Sequence, residues 1–335
     1  MNRGRRSRVF APPPRNPVEP LIAPPTFSIV IPAYEAADTI GDAIRSALSQ
    51  AHPAHEVIVV DDGSTDDLEG ALHPLRDQVT LIRKDNGGAA SARNAGAAAA
   101  TGDFLAILDA DDAYHTQRLQ ALADLASSRP DLDLITTDAR FVVDGEGVGT
   151  FLAHNPFPVE DQRTAILESC FVGGWPAVRL SRLRAIGGFD ESFRIASDWD
   201  CWLRLILSGS LAGLVDEPYY DYVLHAGSLA ASRVASLWAR VRLLEKAADN
   251  PSLHPAERPV LARSLRRQRT RAALAETQAA LFDSGSRRRL SKLMLARGIE
   301  TRARAFAALT LAAPPLARRL APRDRPPDQR FLADP

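Results

Sequence analysis

Phe104-Leu105-Ala106-Ile107-Leu108-Asp109-Ala110-Asp111-Asp112 decides how this chain is read: five apolar residues, enough for a buried strand, stop abruptly at three carboxylates within four positions. Carboxylates this close repel one another unless a positive charge sits among them, and hard oxygen ligands suit a divalent Mg²⁺ or Mn²⁺ ion. In an open α/β sheet, ligands bind at the carboxyl ends of the strands. The competing interpretation is an Asp-rich turn that caps the helix expected over residues 116–128. The motif alone leaves both open, because D-x-D is short and common by chance.

Working outward, short apolar runs alternate with amphipathic segments. Residues 27–32 read as a strand, and Ile40, Ala43, Ile44, Ala47 and Leu48 then recur at helical spacing. A strand over 56–61, a helix over 66–75, a strand over 79–83 and a helix over 89–100 continue the pattern up to the quoted stretch. Strands separated by helices imply βαβ units, hence an α/β fold with a mostly parallel sheet and helices on both faces. After a strand at 133–137 the order is less regular. A hairpin is expected over 140–151, turning at Asp144-Gly145-Glu146-Gly147. A helix is expected over 198–207, where Trp199, Trp202, Leu203 and Ile206 share one face.

The length of 335 residues allows one large domain or two modest ones, and the 45% hydrophobic content is that of a soluble globular protein. Cys170 and Cys201 form no C-x-x-C pair, which argues against a disulfide framework or a zinc site and for a reducing, cytoplasmic setting. Residues 1–26, rich in Pro and Arg and without an apolar run, read as a disordered extension with neither a signal peptide nor a spanning helix. Residues 27–232 read as one domain, and 233–335 as a basic helical appendage with breaks near Pro251, Gly285 and Pro314. Overall neutrality hides an asymmetry: residues 1–232 hold 19 Lys and Arg against 32 Asp and Glu, net −13, which leaves +13 for the remainder. Two uses of the basic region stay open. It either braces the acidic domain or lies at the inner face of a membrane, with Arg287, Arg288 and Arg289 on anionic headgroups and Leu290, Leu293 and Met294 beneath them. The apolar run at 306–313 is too short to span a bilayer.

Pro32-Ala33-Tyr34-Glu35 follows the first strand and Asp61-Asp62-Gly63-Ser64-Thr65-Asp66 ends the second. No G-x-G-x-x-G and no G-x-x-x-x-G-K-[ST] is present, so NAD-type and P-loop chemistry drop out. These two segments, together with Asn86-Gly87-Gly88-Ala89-Ala90-Ser91-Ala92-Arg93-Asn94, Leu108-Asp109-Ala110-Asp111-Asp112, Ile186-Gly187-Gly188-Phe189-Asp190-Glu191 and Ser197-Asp198-Trp199-Asp200, resemble in order and spacing the family 2 glycosyltransferases of GT-A fold. The resemblance covers about residues 27–232.

It implies an inverting, metal-dependent transfer of a sugar from a nucleoside diphosphate sugar, a uridine one, to a hydroxyl of a sugar or lipid-linked acceptor, as in polysaccharide or glycoconjugate biosynthesis. Carried over by position, Asp109 and Asp111 resemble the metal-holding D-x-D pair, with His225 joining them. Ala33, Tyr34, Glu35, Asp61, Asp62, Arg93, Asp109 and Ala110 fall where the family contacts the donor nucleotide. Arg93 equally suits bracing Asp61 or Asp62. Asp198 resembles the general base, with Ser197 standing where the family commonly has Glu and with Asp200 as the rival carboxylate. Trp175, after Gly173-Gly174, either floors an acceptor sugar or fills the core. Two other functions compete: a nucleotidyltransferase, which would show a glycine-rich basic loop after the first strand, and a non-catalytic nucleotide-sugar-binding scaffold. Nucleic acid is not an expected partner.

Overall fold

The apolar runs become strands because helices cover both of their faces. The structure, a computed structural model, describes residues 7–14, 23–224, 233–280, 299–312 and 317. It divides into two compact units, the first running to His225 and the second beginning at Ala226. In chain order the first unit contains β1 (Val9–Phe10), β2 (Phe27–Ala33), α1 (Ile40–Leu48), β3 (Glu56–Asp61), α2 (Leu68–Leu72), β4 (Thr80–Arg83) and α3 (Ala89–Ala99). There follow β5 (Phe104–Ile107), β6 (Ala113–Tyr114), α4 (Arg118–Ser128), β7 (Leu134–Val143), β8 (Glu146–Thr150), α5 (Phe151–His154) and α6 (Gln162–Ile166). The unit ends with β9 (Ala177–Arg179), α7 (Leu180–Ala185), α8 (Ser197–Leu207) and β10 (Ala212–Val223).

Among the described residues one mixed sheet runs in the order β1-β10-β7-β9-β5-β2-β3-β4, with β6 added to β10 and β8 to β7. The segment β5-β2-β3-β4 is parallel, as is β10 with β7, while β9 runs antiparallel between β5 and β7. From β2 the chain lays β3 and β4 to one side and then returns to place β5 on the other. That reversal makes the carboxyl ends of β2 and β5 the switch-point crevice of the sheet, where a ligand has room. Ile29, Ile31, Val59, Phe104 and Ala106 pack there with Ile40, Ala43, Ile44 and Ala47 of α1, all fully buried.

Differences from the sequence expectation have local causes. Val9–Phe10, inside the segment expected to be disordered, pairs antiparallel with Val215 and Leu214 and so supplies a short edge strand. Two residues carry no periodicity that a sequence could display. The second helix is only Leu68–Leu72 because Pro74 offers no N–H, and His73–Gln78 continues as a 3₁₀ turn. β7 runs unbroken through ten residues, where a strand and a separate hairpin arm were expected, because β10 pairs along nearly all of it.

The second unit contains α9 (Arg233–Ala247), α10 (Arg258–Ala280) and α11 (Thr301–Ala312). Leu237 and Val241 pack with Ala272 and Ala275, Trp238 Nε1 donates to Glu276 at 3.0 Å, and Arg269 pairs with Glu245 at 2.7 Å. His225, Gly285, Arg287, Arg288, Arg289, Leu290, Leu293, Met294 and Pro314 lie outside the described residues.

Candidate active site

Three loops at the carboxyl ends of β2, β3 and β5 build the crevice, and hydrogen bonds between them fix its shape. Glu35, held in the left-handed region at φ 51°, accepts from the Thr65 N–H and hydroxyl at 2.8 Å, while its own N–H donates to Ser64 Oγ at 3.1 Å. Asp61 accepts from the Ser64 N–H at 2.8 Å and faces Arg83 Nε at 3.4 Å. Tyr34 stands 54% exposed at the crevice rim.

Two of the expected nucleotide contacts, Asp62 and Ala33, are buried and engaged within the protein. Asp62 is 2% exposed, and its oxygens accept from Lys84 Nζ at 2.7 Å, the Gly87 N–H at 3.0 Å and the Gly88 N–H at 2.6 Å. It therefore shapes residues 84–88, the loop that leads into α3. The Ala33 side chain is buried in the core and its carbonyl accepts from the Asp62 N–H, which leaves it no side-chain surface for a ligand.

At the end of β5 the three carboxylates part company. Asp109, with its side chain 33% exposed, accepts from Arg93 Nη2 at 2.8 Å, so Arg93 braces Asp109 and not Asp61 or Asp62. Ala110 is buried and Asp111 half-buried. Asp112 turns inward, accepting from the Tyr220 hydroxyl at 2.7 Å and the Val223 N–H at 2.8 Å. Burial pushes its carboxyl well above the usual range, and the charges of Asp109 and Asp111 push the same way. The Tyr220 hydroxyl also accepts from the Asp109 N–H at 3.4 Å. Tyr220 thus joins the acidic loop to β10.

Asp198 reaches the crevice from the first turn of α8. The chain enters that helix through Ala196 at φ 64°, and the Trp199 N–H donates to Asp198 Oδ1 at 2.8 Å. Gly174 faces it: a Cβ there would lie 3.2 Å from Asp198 Oδ2, so the glycine leaves the carboxylate open on that side. Burial raises the Asp198 pKa; Arg93 and the Trp199 N–H oppose the rise, and the charge of Asp109 adds to it. For Arg93, burial alone would lower the pKa, yet the carboxylates of Asp109 and Asp198 outweigh it and the net direction is up. Arg93 is therefore paired with Asp109 and lies within electrostatic reach of Asp198, and its Nε has no hydrogen-bond partner. The rival Asp200 is 2% exposed and paired with Arg204 at 2.8 Å, one turn along α8.

Of the two places expected for Trp175, its ring occupies the core. It is 3% exposed, stacked on Tyr220 with centroids 5.1 Å apart, edge-on to Phe151, and its Nε1 donates to the Thr137 carbonyl at 3.1 Å. The sequence also gave no sign of Arg118. This fully buried guanidinium lies 4.6 Å from the Tyr114 ring and 5.0 Å from the Tyr220 ring, and donates to Thr137 Oγ1 and the Trp175 carbonyl.

Among the described residues no three His, Cys, Asp or Glu side chains form a ready-made metal cage. The donor set nevertheless fits Mg²⁺ or Mn²⁺. Such ions are commonly held by one or two carboxylates with phosphate oxygens and waters completing the shell, and Asp109 and Asp111 are the carboxylates that could supply that pair.

Residues 28–187 match the family described as Glycosyl transferase family 2. An uncharacterised glycosyltransferase of Rickettsia prowazekii is 29% identical over 209 residues, 59% of this chain and 62% of that protein. The chain thus spans about three fifths of that relative's length. The Escherichia coli UDP-Glc:α-D-GlcNAc-diphosphoundecaprenol β-1,3-glucosyltransferase WfaP is 29% identical, with 65% of this chain and 85% of that one aligned. The crystal structure of Staphylococcus aureus TarS 1–349 in complex with UDP-GlcNAc superposes with a TM-score of 0.63 at 19% identity, covering 88% of this chain and 90% of that one, and shows a shared fold. The switch-point crevice at the ends of β2 and β5 and the acidic loop 109–112 both lie within residues 28–187, the part of the chain that matches glycosyl transferase family 2.

Proposed function

We propose that the protein transfers a sugar from a uridine diphosphate sugar to an acceptor hydroxyl with inversion, in polysaccharide or other glycoconjugate assembly. We place it in the cytoplasm, meeting lipid-linked acceptors at the inner face of the membrane. The observation that carries this reading is the acidic loop at the end of β5, where Asp109 is held by the buried Arg93 at 2.8 Å in the switch-point crevice of the sheet, within the stretch that matches the family. The donor bound to TarS and the donor and acceptor in the name of WfaP support the choice of substrates. Among the described residues no helix is long and apolar enough to cross a membrane.

Asp198 takes the proton from the acceptor hydroxyl as that oxygen bonds to the anomeric carbon. The bond from the anomeric carbon to the diphosphate oxygen breaks, and its electron pair leaves with the diphosphate. Attack and departure on opposite faces invert the centre, so no nucleophilic side chain is needed. A carboxylate whose pKa is raised by burial is a better base than a solvated one, provided the pH keeps it ionised. Arg93 holds Asp109 in place and steadies the ionised form of Asp198. Asp109 and Asp111 would hold the divalent ion, which when bound offsets charge on the departing diphosphate.

The test is a thermal-shift screen of UDP- and GDP-sugars with and without Mn²⁺, followed by nucleotide release from each sugar that stabilises the protein. A metal-dependent rise in melting temperature with one UDP-sugar and its turnover are expected, because a ligand bound only to the folded state stabilises it by mass action. No shift with any nucleotide sugar, or turnover unchanged in Asp198→Asn, overturns the reading.

A further inference from the structure

We infer that Asn94 is a positioning residue: through the loop 186–191 it locks α8, which carries Asp198, to α3, which carries Arg93. The inference rests on the transfer reading above and assigns work to two sequence motifs that the chemistry left unused.

Adjacent helix residues point about 100° apart, so Arg93 and Asn94 serve different neighbours. While Arg93 bonds Asp109, the Asn94 side-chain amide pairs with the backbone of Phe189 on both sides. Its Oδ1 accepts from the Phe189 N–H at 2.8 Å, and its Nδ2 donates to the Phe189 carbonyl at 2.9 Å. The second Nδ2 proton goes to Glu191 Oε1 at 2.9 Å. A carboxylate in its place would accept but not donate, and an alkyl group would do neither.

From the opposite side Arg204 of α8 forks onto the same loop, donating to the Ile186 carbonyl at 3.0 Å and the Gly188 carbonyl at 2.7 Å, with Asp200 steadying its Nε at 2.8 Å. The glycines fit this bracket. Gly188 sits at φ 74°, and a Cβ there would come within 2.5 Å of Asn94 Oδ1. Phe189 is buried edge-on against Trp202 of α8, at 5.6 Å between centroids, and the Arg93 guanidinium lies 5.8 Å from the same ring. One loop therefore sets where Asp198 stands relative to Arg93 and Asp109. Small misplacements of a reacting group cost rate far more than they cost binding.

The test compares the parent with Asn94→Ala, Asn94→Asp and the double variant Asn94→Asp with Glu191→Gln. Three quantities are read with Mn²⁺ present: UDP affinity by calorimetry, UDP release from UDP-glucose or UDP-N-acetylglucosamine, and amide hydrogen exchange. Asn94→Ala should lower kcat about 100-fold while leaving UDP affinity within about twofold, as expected for misplacement without loss of donor binding. Exchange should quicken across residues 186–200 and stay unchanged in β2 and β3. Asn94→Asp should be similarly slow, and adding Glu191→Gln should recover part of the rate by restoring a donor and removing a repulsion, which also covers the case in which Asn94→Ala fails to fold. A kcat within about threefold of the parent, or UDP affinity falling in step with kcat, overturns the inference. A parent protein that turns over no nucleotide sugar overturns the transfer reading, and this inference with it.

Discussion

Replacing Asp198 by Asn separates chemistry from stability, because the structure lets the two move in opposite directions. Asn is the same size and keeps an oxygen to accept from the Trp199 N–H, so that bond in the first turn of α8 is kept. What goes is the charge. The Asp198 pKa is raised chiefly by burial, with Arg93 opposing. A carboxylate whose folded pKa lies above its unfolded value weakens the fold as pH rises from the unfolded to the folded pKa, and the penalty is constant above that window. At neutral pH the Asn variant should therefore melt at the parent temperature or above it. Activity should fall by about 10²- to 10⁴-fold in kcat, the range that positioned general bases contribute. UDP affinity should hold, since Asp109 and Asp111 remain. The parent kcat/KM should lose activity with unit slope on the acid side, at a pH above the ordinary carboxylate value, and that limb should be absent from the residual rate of the variant. The assay is nucleotide release across pH, paired with thermal melts and UDP calorimetry. A kcat within about threefold of the parent, or a lost limb accompanied by a large fall in melting temperature, would refute the reasoning.

Asp111→Asn should abolish turnover with the fold intact by circular dichroism, and EDTA should do the same to the parent; full activity of the variant with EDTA present would remove the metal. Arg93→Met should move the acid limb of kcat/KM to higher pH, because the guanidinium is what holds the Asp198 pKa down against burial; a limb that stays put would show that the two charges are not coupled. Trp175→Ala should cost about 3–5 kcal/mol of unfolding free energy, as removal of a packed indole does, and a denaturant titration showing less than about 1 kcal/mol would mean that the ring is not core after all.

The parallel core was legible because its strands are continuous apolar runs, and a strand buried on both faces has no other pattern. The helix α8 was legible because Trp199, Trp202 and Ile206 all face one side and are buried. What escaped depends on partners far along the chain. Trp175 after a Gly-Gly pair reads the same whether its face meets a sugar or Tyr220, 45 positions on. Arg118 at the start of α4 looks like any helix-surface arginine until Tyr114 and Tyr220 are seen to close over it.

The acidic residues show the same limit most sharply: the resemblance ranked Asp61, Asp62, Asp109, Asp111, Asp198 and Asp200 by motif position, but residue type alone does not say which carboxylates the fold itself uses. Counting what each accepts separates several of them. Asp62 takes two backbone N–H groups and a lysine, Asp112 takes a tyrosine and a backbone N–H, and Asp200 takes an arginine, all three at under 5% exposure. Each of these satisfies donors that would otherwise be buried without partners, which is structural work. Asp109 instead takes one buried arginine, Asp198 feels the charge of the same guanidinium, and both keep part of their surface exposed. A carboxylate that the fold itself has not saturated is the one left to meet a metal ion or an acceptor proton. Arg93 is the residue that lets two of them stand side by side: burial and the charge of Asp109 both push the Asp198 pKa up, and the guanidinium opposes that rise.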